Sequence, residues 1–354
     1  MDFLKKQESV YEEIKNTKNP VWIWGAGSMA EVIEKRLNEH GIFPKGNFIN
    51  LSDIEVDNEK VWQLKELEEA GNRIDVIVGH GKLDLVKNLK NCNIVDEIYV
   101  LDSPYEQYWP DVKAIKKLED LMLKGEIRER IYDNKSYECV NKYVEFYNGK
   151  MDNNFFEEVE LLCEDMFEFE KLNLTENENY IDVGAWDGDT VIEFLKYTKG
   201  KYNKIYAIEP DDKGYNMLSK KFKDSIRIRL LKMGLSSTKK TLYSSKSNTQ
   251  SMHLIDSGEG KIVECNTLDY LLDNNIIENK PTLIKTAVPF MDLDVLRGAE
   301  KTIRMIKPRL ICNISTGNKE ISSIIEYILG LNLEYKIAFR YRLPVPTQLL
   351  LYAF

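Results

Sequence analysis

The sequence predicts an α/β protein made of two parallel-sheet units. Three observations predict it. Val21-Trp22-Ile23-Trp24 is a short apolar run that meets the glycine turn Gly25-Ala26-Gly27-Ser28-Met29-Ala30. Tyr180-Ile181-Asp182-Val183 meets a second turn, Gly184-Ala185-Trp186-Asp187-Gly188. After each turn, short apolar runs alternate with helical patterns, which is how βαβ units read.

The N-terminal unit opens with the strand Val21–Trp24 and a helix whose apolar spacing runs through Met29, Val32, Ile33 and Leu37. Further strands are expected at 47–49, 74–78 and 97–101, so residues 1–105 read as a Rossmann-like α/β domain. The G-x-G-x-x-A turn has two readings. It can hold a nucleotide or nucleotide-sugar, or it can simply allow a tight strand–helix junction. No acid closes Phe48-Ile49, which favours the junction. Gly79-His80-Gly81-Lys82 follows another strand end. Residues 106–178 read as a helical connector, with Glu157, Glu158, Glu160, Glu164 and Glu168 on a solvated helix face.

In the C-terminal unit, residues 179–354, strands are expected near 180–184, 204–208, 226–231, 282–286, 309–315, 334–339 and 347–352. A β-rich insert carries Thr241-Leu242-Tyr243 and Lys261-Ile262-Val263. Arg342-Leu343-Pro344-Val345-Pro346 is too short for a crossover helix, so the last two strands must pair antiparallel.

Composition narrows the function classes. The 354 residues suit two domains. Lys plus Arg number 49 against 58 Asp plus Glu, a net charge of −9. That balance disfavours a nucleic-acid binder, which needs clustered cations. The five cysteines contain no CxxC pair and the three histidines are scattered, so no metal site is expected. Reduced thiols and a polar N-terminus point to the cytoplasm, and no run reaches the ~18 apolar residues of a membrane span. A homo-oligomer is left open.

The second turn carries the chemistry. Glu209 ends the run Ile205-Tyr206-Ala207-Ile208, 21 residues after Gly188. The spacing between a glycine turn and the carboxylate that grips a ribose is about 20. Glycine lets backbone approach a ligand closely, and the acid accepts hydrogen bonds from two sugar hydroxyls. The pairing suits a nucleoside-containing cofactor.

Residues from about 150 to 354 resemble the FkbM family of S-adenosylmethionine-dependent methyltransferases. The resemblance rests on Ile181-Asp182-Val183-Gly184-Ala185-Trp186-Asp187-Gly188-Asp189-Thr190, Glu209-Pro210-Asp211, Met233-Gly234-Leu235-Ser236, Thr267-Leu268-Asp269 and Leu293-Asp294-Val295-Leu296-Arg297-Gly298-Ala299-Glu300. It extends through Pro308-Arg309-Leu310 and Glu326-Tyr327-Ile328-Leu329. It implies a seven-stranded class I methyltransferase fold closed by an antiparallel hairpin, S-adenosylmethionine as cofactor, and a sugar, glycan precursor or related small metabolite as acceptor. It places the cofactor at Asp182, Gly184, Ala185, Gly188 and Gly234, with Glu209 on the ribose. Backbone N–H groups of the turn would hold the cofactor's carboxylate, and Asp182 and Asp187 suit its positive charges.

The chain departs from the family in Lys285-Thr286-Ala287-Val288-Pro289-Phe290-Met291-Asp292. There the family's aspartate, glutamate and glycine are Ala287, Pro289 and Phe290. Thr316 replaces a histidine, and Arg340-Tyr341-Arg342 replaces Arg-His-Tyr. Methyl transfer to a hydroxyl needs a base or a metal, whereas a neutral amine needs neither. The candidate reacting groups are therefore Asp292 as substitute base, Lys285 and His253. Asp292 also reads as the N-cap of a helix near Leu293, Lys285 as a strand end, and His253 as a plain loop residue. Trp186 and Phe290 are candidate pocket walls. The rival reading is a degenerate relative that binds cofactor or nucleotide-sugar and scaffolds a partner.

Overall fold

The computed structural model describes residues 11–26, 28–49, 61–78, 89, 92–99, 112–147, 155–244, 254–258, 260–314, 321–344 and 348–354. The chain divides into two compact units. One comprises Met1–Val112 and Glu145–Glu157, the other Lys113–Val144 and Glu158–Phe354. The helical stretch expected at 106–178 is thus shared: 113–144 and 158–178 belong to the second unit and 145–157 to the first.

In the first unit, β1 (Val21–Trp24) leads to α1 (Ser28–Glu39), β2 (Asn47–Ile49), β3 (Val61–Gln63), α2 (Leu64–Ala70), β4 (Ile74–Val78) and β5 (Val95–Tyr99). The strands form one parallel sheet in the order β3-β2-β1-β4-β5. β1 and β4 are buried throughout, as central parallel strands covered on both faces must be. Side chains alternate along β1, so Trp22 and Trp24 pack with Phe48 and Val76, while Val21 and Ile23 pack with Ile33 and Leu37. Gly25 takes φ 139°, a conformation open to glycine, and its N–H reaches Phe48 O at 2.9 Å. Gly27 and the 79–82 segment with His80 lie outside the described residues.

The second unit carries all but the first residue of α3 (Val112–Leu123), most of α4 (Asn134–Tyr147) and part of α5 (Phe155–Leu161) ahead of its main sheet. The sheet strands in chain order are β6 (Asn179–Val183), β7 (Lys204–Ile208) and β8 (Ile228–Leu231), then β13 (Leu283–Thr286), β14 (Arg309–Asn313), β15 (Ile337–Tyr341) and β16 (Leu349–Ala353). They pair in the order β15-β16-β14-β13-β6-β7-β8. β16 runs antiparallel to both β14 and β15, and the other pairs are parallel. This is the seven-stranded mixed sheet expected from the resemblance. The β-rich insert is a separate four-stranded sheet, β11-β10-β12-β9, built from β9 (Gly234–Leu235), β10 (Lys240–Ser244), β11 (Leu254–Ile255) and β12 (Ile262–Asn266).

Two helices present the loops at the sheet's C-terminal edge. In α6 (Asp189–Tyr197), Thr190, Val191 and Phe194 are buried, one helical face. Phe194 stacks on Tyr180 with ring centroids 4.8 Å apart, and Phe167 meets both rings edge-on. That aromatic cluster fixes α6 over β6. α7 (Asp212–Phe222) is capped by Asp211, whose side chain accepts from the Gly214 N–H at 3.0 Å.

The edge strand β15 is sealed by backbone from the preceding segment. Tyr132 N–H donates to Ile337 O, Ile337 N–H to Arg130 O and Glu164 N–H to Tyr341 O, each at 2.8 Å. Buried Arg340 clamps this cover through Asp133 and through Glu164 at 2.8 Å. Glu164, expected on a solvated helix face, is a partner of that clamp because β15 carries its guanidinium across. No helix among the described residues is long and apolar enough to cross a membrane.

Candidate functional site

The turn after β6 is set by its own packing. Gly184 has φ 75°, and a Cβ there would sit 2.5 Å from Ala287 O, so only glycine lets the loops after β6 and β13 approach. Gly188 has φ 85°, and its Cβ would sit 2.5 Å from the Phe222 ring of α7. Trp186 between them is held at φ 43°, a costly conformation for a bulky residue.

Glu209 at the end of β7 reaches into this turn. Its Oε2 accepts the Trp186 N–H at 2.8 Å and its Oε1 the Asp211 N–H at 2.8 Å. The carboxylate is buried, and burial raises its pKa above the usual 4.5, partly offset by those two N–H groups. Each oxygen accepts one bond, so each keeps a lone pair for a further donor.

Asp182 and Lys285 form a buried pair on adjacent strands. Lys285 Nζ lies 2.9 Å from Asp182 Oδ1 and donates to Gly184 O at 3.1 Å, while Thr190 Oγ1 donates to Asp182 Oδ2 at 2.5 Å. The pair ties β6, β13 and α6 at the base of the turn.

Beside it lies a cavity of about 160 Å³. Gly184, Trp186, Asp189, Lys285, Ala287 and Arg342 line it among others, over an apolar floor of Ile311 and Leu350. Arg342 Nη2 pairs with Glu193 at 2.8 Å and Asp189 at 3.3 Å. Arg342 N–H also donates to Gln348 O at 3.0 Å, closing the β15–β16 hairpin beside the cavity.

Several expectations change here. Asp187 does not line the cavity: its Oδ2 pairs with Lys221 at 2.8 Å and its Oδ1 accepts the Asp189 N–H. The acid that faces the cavity is Asp189, two residues on. The turn's backbone is not a free cradle either. Gly184 and Ala185 N–H go to Ile208 O, Trp186 N–H to Glu209, Gly188 N–H to Ala185 O, Asp189 N–H to Asp187 and Thr190 N–H to Asp189. Six of the seven N–H groups from 184 to 190 are thereby used within the protein.

Asp292 is fully buried and does not line the cavity. Its Oδ1 accepts from Thr286 Oγ1 and from the Val288 N–H at 3.0 Å, tying down the loop after β13. It is the first residue of α9 (Asp292–Arg297), numbered after α8 (Leu268–Asp273), and Met291 holds the N-cap position. This placement suits a tie better than a base. Gly234 lies in β9, where a Cβ would meet Cys265 Sγ at 2.5 Å, so core packing accounts for it. Phe290 is 38% exposed at φ 67° and is not among the cavity residues. His253 and Thr316 lie outside the described residues. Among the described residues, no three His, Cys, Asp or Glu side chains converge as a metal site.

Sequence reasoning missed Arg342 and Glu193. A signal existed: Asp189 and Glu193 are four apart on a helix, one face bearing two acids, which calls for a cation opposite.

Residues 182–337 match the family of the methyltransferase FkbM domain. The C-terminal unit contains an FkbM methyltransferase domain. In structure, the whole chain is similar to the methyltransferase FkbM from Methylobacillus flagellatus KT, with TM-score 0.68 and 16% identity over 99% of this chain and 98% of that one. Weaker likenesses include an rRNA methylase from Streptococcus thermophilus (TM-score 0.32, 13% identity, 51% of this chain and 87% of that one). Another is fibrillarin from Aeropyrum pernix with bound S-adenosyl-L-methionine (TM-score 0.33, 10% identity, 51% and 69%). No curated protein matches the chain.

The residues of the FkbM domain fit the cofactor. Glu209 is a buried carboxylate with no ion-pair partner among the described residues and a spare lone pair on each oxygen, which is what a ribose diol requires.

Proposed function

We propose that this FkbM methyltransferase acts on a sugar, glycan precursor or related small metabolite in the cytoplasm. Glu209 carries the reading of the cofactor site: it is buried beside a glycine turn, accepts one backbone N–H per oxygen, and is placed to accept the 2′- and 3′-hydroxyls. When bound, S-adenosylmethionine supplies a methyl group already activated on a sulfonium, so alignment by the protein supplies much of the rate. Gly184 and Ala185 hold the turn against Ile208, Asp182 and Lys285 fix its base, and Trp186 walls the cavity beside it. Gly188 lets α6 and α7 close around it.

The acceptor class is inferred from the polar rim of the cavity, where the Asn313 and Gln348 amides suit hydroxyl groups above an apolar floor. Lys285 and Asp292 both have structural partners, which supports an acceptor that needs little help with its proton, such as an amine-bearing sugar. The test is acceptor-dependent release of S-adenosylhomocysteine across neutral, amino and acidic sugars and their nucleotide-linked forms. Turnover with an amino sugar is the expected result. Tight cofactor binding with no turnover on any of them would favour a scaffold instead.

A further inference from the structure

If the turn's N–H groups are taken, the cofactor's carboxylate needs another donor. Six of the seven N–H groups between Gly184 and Thr190 are bonded inside the protein. Two cations line the cavity. Lys285 is occupied by Asp182 and Gly184 O. Arg342 is occupied only through Nη2, leaving Nε and Nη1 without a partner among the described residues. Asp189, beside it at 3.3 Å, also lines the cavity. One wall of the cavity therefore presents an acid and a guanidinium side by side.

From this arrangement we infer that Arg342 and Asp189 bind the amino-acid end of the cofactor, Arg342 taking the carboxylate and Asp189 the ammonium. A zwitterion is the ligand whose charges match a neighbouring acid and base, because each charge meets its opposite. Glu193 is a positioning residue. It holds Arg342 Nη2 at 2.8 Å and is itself oriented by the Met166 N–H at 3.0 Å. The pinned guanidinium keeps Nε and Nη1, unpartnered among the described residues, for a carboxylate oxygen with little rotamer entropy left to lose. The resemblance assigns Arg342 no role, since the family pattern has tyrosine there.

The inference rests on the proposed cofactor site, and the experiment separates the two. Binding of three compounds to the full chain is measured by calorimetry: S-adenosylmethionine, its decarboxylated analogue, and 5′-methylthioadenosine, which lacks the amino-acid end. In the wild type, loss of the carboxylate should weaken binding about 10- to 100-fold, the range for one charge-assisted contact. Arg342→Gln should weaken S-adenosylmethionine by the same factor, leave methylthioadenosine unchanged, and no longer distinguish the decarboxylated analogue. Equal weakening of all three in the variant assigns Arg342 a purely structural role and overturns the inference. So does a wild type indifferent to decarboxylation, a result that needs no variant to fold. An Arg342→Gln chain that keeps cofactor affinity but loses acceptor affinity moves the residue to the acceptor and overturns it too. A wild type that binds none of the three removes the proposed cofactor site and the inference together.

Discussion

At the scale of single residues, Glu209 is the most consequential group. Glu209→Ala should lower S-adenosylmethionine affinity about 10- to 100-fold, the worth of hydrogen bonds to a charged group, as read by calorimetry. Burial raises its pKa, so its charged form is the disfavoured one in the folded protein. The sign follows. Cofactor affinity should be full above the raised pKa and fall as pH drops through it, at a pH higher than the ordinary 4.5. A binding titration against pH, compared with Glu209→Ala, checks this, and an identical profile in both would assign the transition elsewhere. Folding stability has the opposite slope. The folded state binds the extra proton, so this group's contribution declines as pH rises from the unfolded to the folded pKa. Gly184→Ala should cost about 1–3 kcal/mol in urea unfolding, because the added carbon meets the Ala287 carbonyl and φ is positive. The placement of Glu209 and Gly184 at strand ends was legible in the sequence because it is local. That Asp189 rather than Asp187 lines the cavity was not. It depends on which way a helix start points and on Lys221, 34 residues away, taking the first acid.

At the scale of elements, the clamp at β15 decides how the helical cover is held. Arg340→Met should destabilise the second unit by about 2–3 kcal/mol, at or below the range for a fully buried pair because Asp133 and Glu164 are partly exposed. Hydrogen exchange should then accelerate at Ile337 and Tyr132, which bond across the junction. Equal exchange in wild type and variant would mean that the backbone bonds alone suffice. Alternation of apolar runs located the seven strands of the main sheet, with boundaries shifted by up to three residues. The expected 334–339 became Ile337–Tyr341 because Tyr335 buries its hydroxyl against Pro308 O before the strand begins. β3 went unseen. Val61-Trp62-Gln63 is three residues long with no periodicity to read, and pairing with β2 alone makes it a strand.

At the scale of the molecule, the two units should respond differently to the cofactor. Ligand at 100 times its dissociation constant stabilises the unit that binds it by about 2.7 kcal/mol. Hydrogen exchange should slow at 184–190, 209–211 and 285–287 and remain unchanged in β1 and β4. Slowing in β1 and β4 would show that the first unit takes part in binding. The two main sheets were readable from two glycine turns, each after its own apolar strand. The division of 106–178 was not, because helices that pack on either unit share the same amphipathic pattern.

The hairpin that closes the main sheet does so by insertion: β16 slots between β14 and β15 and satisfies the backbone of both. A protein shortened to end before Leu349 would therefore carry two raw borders, one along Arg309–Asn313 and one along Ile337–Tyr341. Such borders recruit strands from other molecules. Loss of a few C-terminal residues is thus expected to yield precipitate, where a comparable cut in a surface helix would yield only a less stable protein.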